Sequence, residues 1–265
     1  MNVYRRELRA HWKSLAFWCL GMVLLMVSGM AKFETLNGTG QGAKELLDQL
    51  PRTLQVVFGL SGFDVTTVRG YYGVMFFYVA LMATVHAVLL GTSVIAGEEV
   101  DHTAEFLLVR PVSRRRVVAA KMLYGLTAIV VLNLVTAASS VYSVNAVGGA
   151  GSSGSYLWLL LLGLLFLQTL FFLVGTCVAG VSHRPRSAGS IATTVLLVTY
   201  LFSILVDLNA SLEPLKYFSP FRYFDAHDII GLGRLNLGYV ALTAVLIAGL
   251  AGLTYRGYER RDLVL

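Results

Sequence analysis

Three short constellations in this 265-residue chain carry residue types that chemistry uses. Asp101, His102 and Glu105 lie within five positions, and a His and a Glu at i, i+3 share one face of a helix. Such a face offers a metal two or three ligands, but without a second ligand motif the cluster equally suits a solvated or partner-facing surface. Gly38, Gly40 and Gly42 ahead of Lys44 have the outline of a phosphate-binding loop. That loop needs Gly-x4-Gly-Lys-Ser/Thr after a strand, so that backbone amides cradle phosphate and the hydroxyl holds magnesium. Here Ala43 precedes Lys44 and Glu45 follows it, so the match fails. Gly59-Leu60-Ser61-Gly62-Phe63 fails as a nucleophile elbow because Phe63 stands where the last glycine belongs. No catalytic residue, cofactor-binding residue or metal ligand is assigned.

The elements that would position any site are membrane spans. The chain is 56% hydrophobic and 14% charged, against roughly 25% charged for a soluble domain. Residues 122–182 contain no Asp, Glu, Lys or Arg. Further windows at 14–31, 70–97, 187–206 and 235–255 are almost free of charge. About 18 residues at ~1.5 Å each cross most of a ~30 Å hydrocarbon core. The long uncharged run must be two helices, because the Gly- and Ser-rich stretch 148–154 breaks it. The chain reads as an all-α polytopic membrane protein, one transmembrane domain over 1–265. Its six helices fall at about 14–31, 71–97, 117–147, 156–181, 187–206 and 237–255. The third is longer than a span requires and is expected to tilt or protrude.

Lys and Arg set the orientation. With the N-terminus inside, the inner segments hold 14 basic residues and the outer segments 7, while acidic residues split 7 and 8. Both termini are therefore expected in the cytoplasm of a cell with the protein in its plasma membrane. The excess of six positive charges serves orientation, and no nucleic acid is expected as a partner. Arg5, Arg6, Arg9 and Lys13 precede an apolar stretch without a cleavage site, so the first span is expected to remain as an anchor. Cys19 and Cys177 lie inside spans as small hydrophobes.

Four polar pieces remain. Residues 2–13 interleave Val3, Leu8 and Trp12 with Arg5, Arg6, Glu7 and Arg9, the pattern of an interfacial amphipathic helix. The outer loop 32–70 keeps helical spacing from Leu46 to Phe58, bent at Pro51. The inner loop after the second span is acidic at Glu98, Glu99, Asp101 and Glu105, apolar at 106–109, and basic at Arg110 and 114–116. Pro111 ends a short helix there and Ser113 stands where it would cap the next. The outer segment 207–234 gathers Tyr217, Phe218, Phe221, Tyr223 and Phe224, which suits short helices at the membrane–water interface.

Within the spans the polar residues of note are His86, Asn133 and Gln168. Ion-driven carriers usually show carboxylates or broken helices at the midplane. Neither is present, so energy for transport is expected from another chain.

The inner loop carries a resemblance. Gly97-Glu98-Glu99, Thr103-Ala104-Glu105-Phe106-Leu107-Leu108, Arg110-Pro111-Val112-Ser113-Arg114 and Lys121 together resemble the first inner loop of ABC-2 type transporter permeases. Ser219-Pro220-Phe221-Arg222-Tyr223-Phe224 is similar to that family's segment before the last span, and Arg260-Arg261-Asp262 to its ending. The resemblance implies a permease subunit of an ATP-binding cassette exporter. It implies a second permease subunit, the same chain or a related one, and a soluble ATPase dimer that binds the ATP, so that this chain needs no cofactor. It further implies that the inner loop is a cytoplasmic coupling helix, with Glu98, Glu99, Glu105, Phe106, Leu107 and Arg110 as ATPase contacts and Pro111 fixing its end. A stand-alone channel or secondary carrier is the alternative, in which His86 or Asn133 would be essential.

Overall fold

The computed structural model describes residues 3–38, 49–100, 113–182 and 185–260. Six long apolar helices dominate it: α1 (Val3–Gly38), α3 (Val68–Val100), α4 (Arg114–Gly148), α5 (Ser155–Val181), α6 (Pro185–Leu208) and α9 (Leu237–Arg260). A short α2 (Arg52–Val57) follows Pro51. A 3-10 helix (Ala210–Phe218), α7 (Pro220–Tyr223) and α8 (Ala226–Leu232) connect α6 to α9. No strand occurs among the described residues. The protein is an all-α polytopic membrane protein.

Each expected span lies inside one of the long helices, but the helices extend further. The N-terminal segment is not a separate element, since α1 runs unbroken from Val3 through the first span. Its opening turns are held upright by ion pairs to neighbouring helices, described below. The helix expected to bend at Pro51 is described only from Arg52, with Pro51 in extended backbone before it. Ser113 occupies the N-cap position of α4 without a side-chain hydrogen bond; its carbonyl accepts from the Arg116 and Val117 amides instead.

The end of the bundle holding Val3, Arg114 and Arg260 is called here the basic end, and the opposite end the far end. Tyr78 stands 20 residues from Glu98 along α3, about 30 Å at 1.5 Å per residue, one hydrocarbon thickness. Residues 68–77 are therefore length in excess of one such thickness counted from Glu98. The same count from Lys121 on α4 reaches Val141, and the turns beyond carry Tyr142, Ser143 and Asn145. Gly149 and Gly151 then take positive φ, 85° and 89°, to close the hairpin into α5.

α3 and α5 form the centre, with α1, α6 and α9 on the periphery. Their backbones meet at Gly91 and Gly175, where a Cβ on Gly175 would fall 2.5 Å from the Val88 carbonyl oxygen. A Cβ on Gly91 would fall 2.2 Å from the Phe172 oxygen. Apolar side chains gain little by leaving lipid for each other, so close backbone contact of this kind supplies the packing. Polar side chains add cross-links: Asn133 donates to the Gln168 side chain and the Leu161 carbonyl, both at 3.3 Å. Thr176 and Thr254 share a hydrogen bond of 3.2 Å between α5 and α9.

Gly175→Val is expected to separate α3 from α5 and cost at least about 2 kcal/mol, because backbone cannot give way as a side chain can. Gly249→Ala, where no atom lies within 4 Å of the new Cβ, is expected to be neutral. Melting temperature and the monodisperse fraction of the purified variants in detergent check both.

Candidate coupling site at the basic end

Residues 101–112, which hold the predicted Glu105, Phe106, Leu107, Arg110 and Pro111, lie outside the described residues, as do Asp101 and His102 of the metal-like cluster. The two flanks of that segment are described, and they meet α1 in a charge cluster. Glu98, in the last turn of α3, pairs with Arg6 of α1 and with the Lys121 ammonium of α4, the latter at 3.0 Å. Lys121 is 1% exposed and also donates to the Val94 carbonyl at 2.5 Å. Glu7 pairs with Arg6 at 3.0 Å and with His11 at 3.5 Å when that imidazole is protonated. The charges of Glu7 and Glu99 also act on Lys121. Glu98 and Glu99 are thus turned into the bundle, 14% and 7% exposed. Glu98 ties α3 to α1 and α4 on that inward side.

The local chain explains the placement. Lys121 follows Arg114 by seven positions, two helical turns, which sets it one face-repeat deeper among Val118, Met122 and Tyr124. An ammonium at that depth is costly unless acids surround it. Three carboxylates meet this demand from α1 and α3, and the Arg6 guanidinium pairs with two of them, Glu7 and Glu98. Further ties close the ring. The His11 and Tyr124 rings stack at 5.8 Å, and Tyr4 donates to Thr127 at 3.3 Å. Arg115 pairs with Glu259, and Arg114 reaches the Glu259 carbonyl at 3.3 Å, joining the end of α9 to the start of α4.

Beside the cluster opens a cavity of about 840 Å³ between α1, α3, α4 and the start of α6. Arg6, Glu7, Lys121 and Arg186 line its charged end, Trp18, Leu89 and His86 its apolar end. His86 is buried against Trp18, with ring centroids 5.1 Å apart. Its Nδ1 has no hydrogen-bond partner among the described residues. Asn133, by contrast, is committed to the α4–α5 contact.

The sequence pattern marks Arg6 as an orienting charge and Lys121 as an inner-side cation at the end of the family-like loop motif. The available signal was Lys121 itself, a lone cation a full two turns into an apolar helix.

Six helices long and apolar enough to cross a membrane, with charged residues gathered at their ends, define a polytopic membrane protein. The chain matches the family model described as ABC-2 family transporter protein over residues 1–263, and it belongs to that family. It is accordingly a permease component of an ABC transporter, the transmembrane part and not the ATPase. A comparison with curated proteins finds no match.

Lys121→Met strands the acids around it and is expected to cost about 3 kcal/mol of stability. Adding Glu98→Leu should recover part of that loss, since the pair is then replaced by apolar packing. Arg115→Ala, at a side chain 76% exposed, should leave the melting temperature unchanged. Thermal unfolding of the three purified variants in one detergent, set against the wild type, checks the order; equal stability of Lys121→Met and wild type would sink it.

Proposed function

We propose that this chain is one half of an exporter's membrane pathway, driven by a separate soluble ATPase dimer docked at the basic end. In this reading the basic end is cytoplasmic, both termini lie there, and the membrane is the plasma membrane. A second permease subunit, identical or related, completes the pathway. ATP binds to the ATPase, and this chain uses no cofactor of its own. Residues 101–112 are the coupling segment, with Glu105, Phe106, Leu107 and Arg110 meeting the ATPase and Pro111 setting the end of the helix.

The observation that carries the reading is the ion-pair cluster of Arg6, Glu98 and Lys121. It fastens α1, α3 and α4 together where α3 enters that segment and α4 leaves it. A force on the segment therefore reaches three spans together instead of bending one. Glu98 and Glu99, first read as contacts, serve in this scheme as the anchor behind the coupling segment. The neighbouring cavity, charged at one end and apolar at the other, suits an amphiphilic cargo.

Mild-detergent capture of the tagged chain from its native host is expected to bring down a soluble ATPase. Phe106→Ala with Leu107→Ala should abolish its recovery, because docking rests on the apolar centre. Glu98→Ala should retain the ATPase but lower its turnover several-fold. Recovery of the intact chain alone, at low and moderate salt, would overturn the reading in favour of a carrier that works unaided.

A further inference from the structure

At the far end a second cleft, of about 230 Å³, opens between residues 59–63 and 221–228 with α3 and α6 behind it. Its walls are aromatic. Phe77 of α3 and Tyr200 of α6 lie 6.0 Å apart, and Tyr200 and Phe221 lie 5.7 Å apart edge to face. Ala80, Leu81 and Leu167 make the floor. The loop is held against these walls by two glycines in left-handed backbone. A Cβ at Gly59 (φ 65°) would meet the Phe77 ring at 2.5 Å, and one at Gly62 (φ 83°) the His227 ring at 2.8 Å. Tyr78 and Tyr200 donate to the carbonyls of Phe58 and Val57, at 3.0 and 2.9 Å, so the wall is built before any ligand arrives.

The rim is acidic. Asp207, Asp225 and Asp228 line it against Arg222 and His227. Arg222 is shared between Asp207 at 2.6 Å and Asp225 at 3.3 Å. Asp228 faces His227 at 3.8 Å, and both are more than half exposed. Two further arginines stand near the rim and are held by backbone: Arg52 reaches the Asp207 carbonyl at 3.5 Å, and Arg69 the carbonyl of Ile230. Burial pushes the Asp225 carboxyl above the ordinary carboxylate range, with Arg222 drawing it back. Three aspartates and one arginine share the lining.

We propose that this cleft binds a small amphiphilic cation, a single ring or short alkyl body bearing an ammonium group. The aromatic faces attract cations through their quadrupoles, and the acidic rim adds a negative field. The cleft is smaller than the ~300–1,000 Å³ of drug-sized pockets, which limits the body to about one ring. Its place beside Tyr78, at the edge of the hydrocarbon layer, lets the body sit on the apolar floor while the head stays at the polar rim. Asp225 Oδ1 already accepts the His227 and Asp228 amides as the cap of α8, at 2.9 and 3.2 Å. That commitment disfavours a bare metal ion held by Asp225, His227 and Asp228, whose ligand atoms lie within 4.8 Å of one another.

The test is equilibrium dialysis of the full chain in nanodiscs of zwitterionic lipid, with radiolabelled benzyltrimethylammonium as probe. Saturable binding is expected, with the neutral isostere neopentylbenzene at least about tenfold weaker as a competitor. Asp228→Asn and Phe221→Leu should each weaken the probe about fivefold or more. Asp228 is a surface side chain, so its variant keeps the fold and the comparison stands even if the Phe221 variant does not. No saturable binding up to about 1 mM, equal competition by the neutral isostere, or wild-type affinity in Asp228→Asn would overturn the proposal. So would binding of calcium without binding of the quaternary ammonium. No ATP or ATPase enters the experiment, so failure here leaves the coupling reading untouched, and failure of that reading leaves this one untouched.

Discussion

A lysine ammonium shut away from water at the edge of an apolar bundle must be surrounded by negative charge, and Lys121 imposes this on its neighbours. Glu98 answers from α3, Glu7 from α1, and Arg6 bridges the two acids. The requirement explains why α1 continues straight out of its span instead of folding along the membrane surface. Its first two turns supply half of the cluster, and laying them flat would leave Lys121 and Glu98 with fewer partners. The cluster also ties together the chain on both sides of residues 101–112. A buried ionic group of this kind contributes little net stability, since desolvation offsets the attraction; what it adds is a defined relative position for three helices.

From that fixed end the helices rise as a unit. Gly91 and Gly175 let α3 and α5 approach backbone to backbone, and the hydrogen bonds at Asn133 and Thr176 hold α4 and α9 to the same centre. α3 and α4 are each longer than one hydrocarbon thickness. The connecting segments rest on α6 and α5: Ser219 donates to the Thr199 carbonyl at 2.7 Å, and Phe166 stacks on Phe224. The aromatic residues of 217–224 are therefore only partly a belt against lipid. Phe221 and Phe224 turn inward and build a wall of the far-end cleft.

Membership of the ABC-2 transporter family and the geometry of the basic end converge on one physical theme. The chain concentrates ionisable groups where helices must move together and leaves the spans between them apolar. His86 is the ionisable side chain deepest in the described bundle interior, and it faces a cavity.

The number of spans, the glycine hairpin after Gly148 and the bias of Arg and Lys to one end were legible in the sequence because each depends on local composition. A helix in hydrocarbon must satisfy its own backbone, so about twenty apolar residues are enough to declare it. The motif that marks the family is likewise contiguous. The partners of Glu98 were not legible: Arg6 is 92 positions away and Lys121 is 23, and nothing in either neighbourhood says which helix will stand beside which. Read along the chain, Glu98 and Glu99 looked like the acidic face of an exposed loop; the packing of α1 against α3 and α4 turned them inward. The far-end cleft depends on the same kind of information, joining Phe77, Tyr200 and Phe221 from three separate elements. Periodicity and charge are properties of a segment, while a pocket or an ion pair is a property of the distance between segments, and that distance exists only once the bundle has packed.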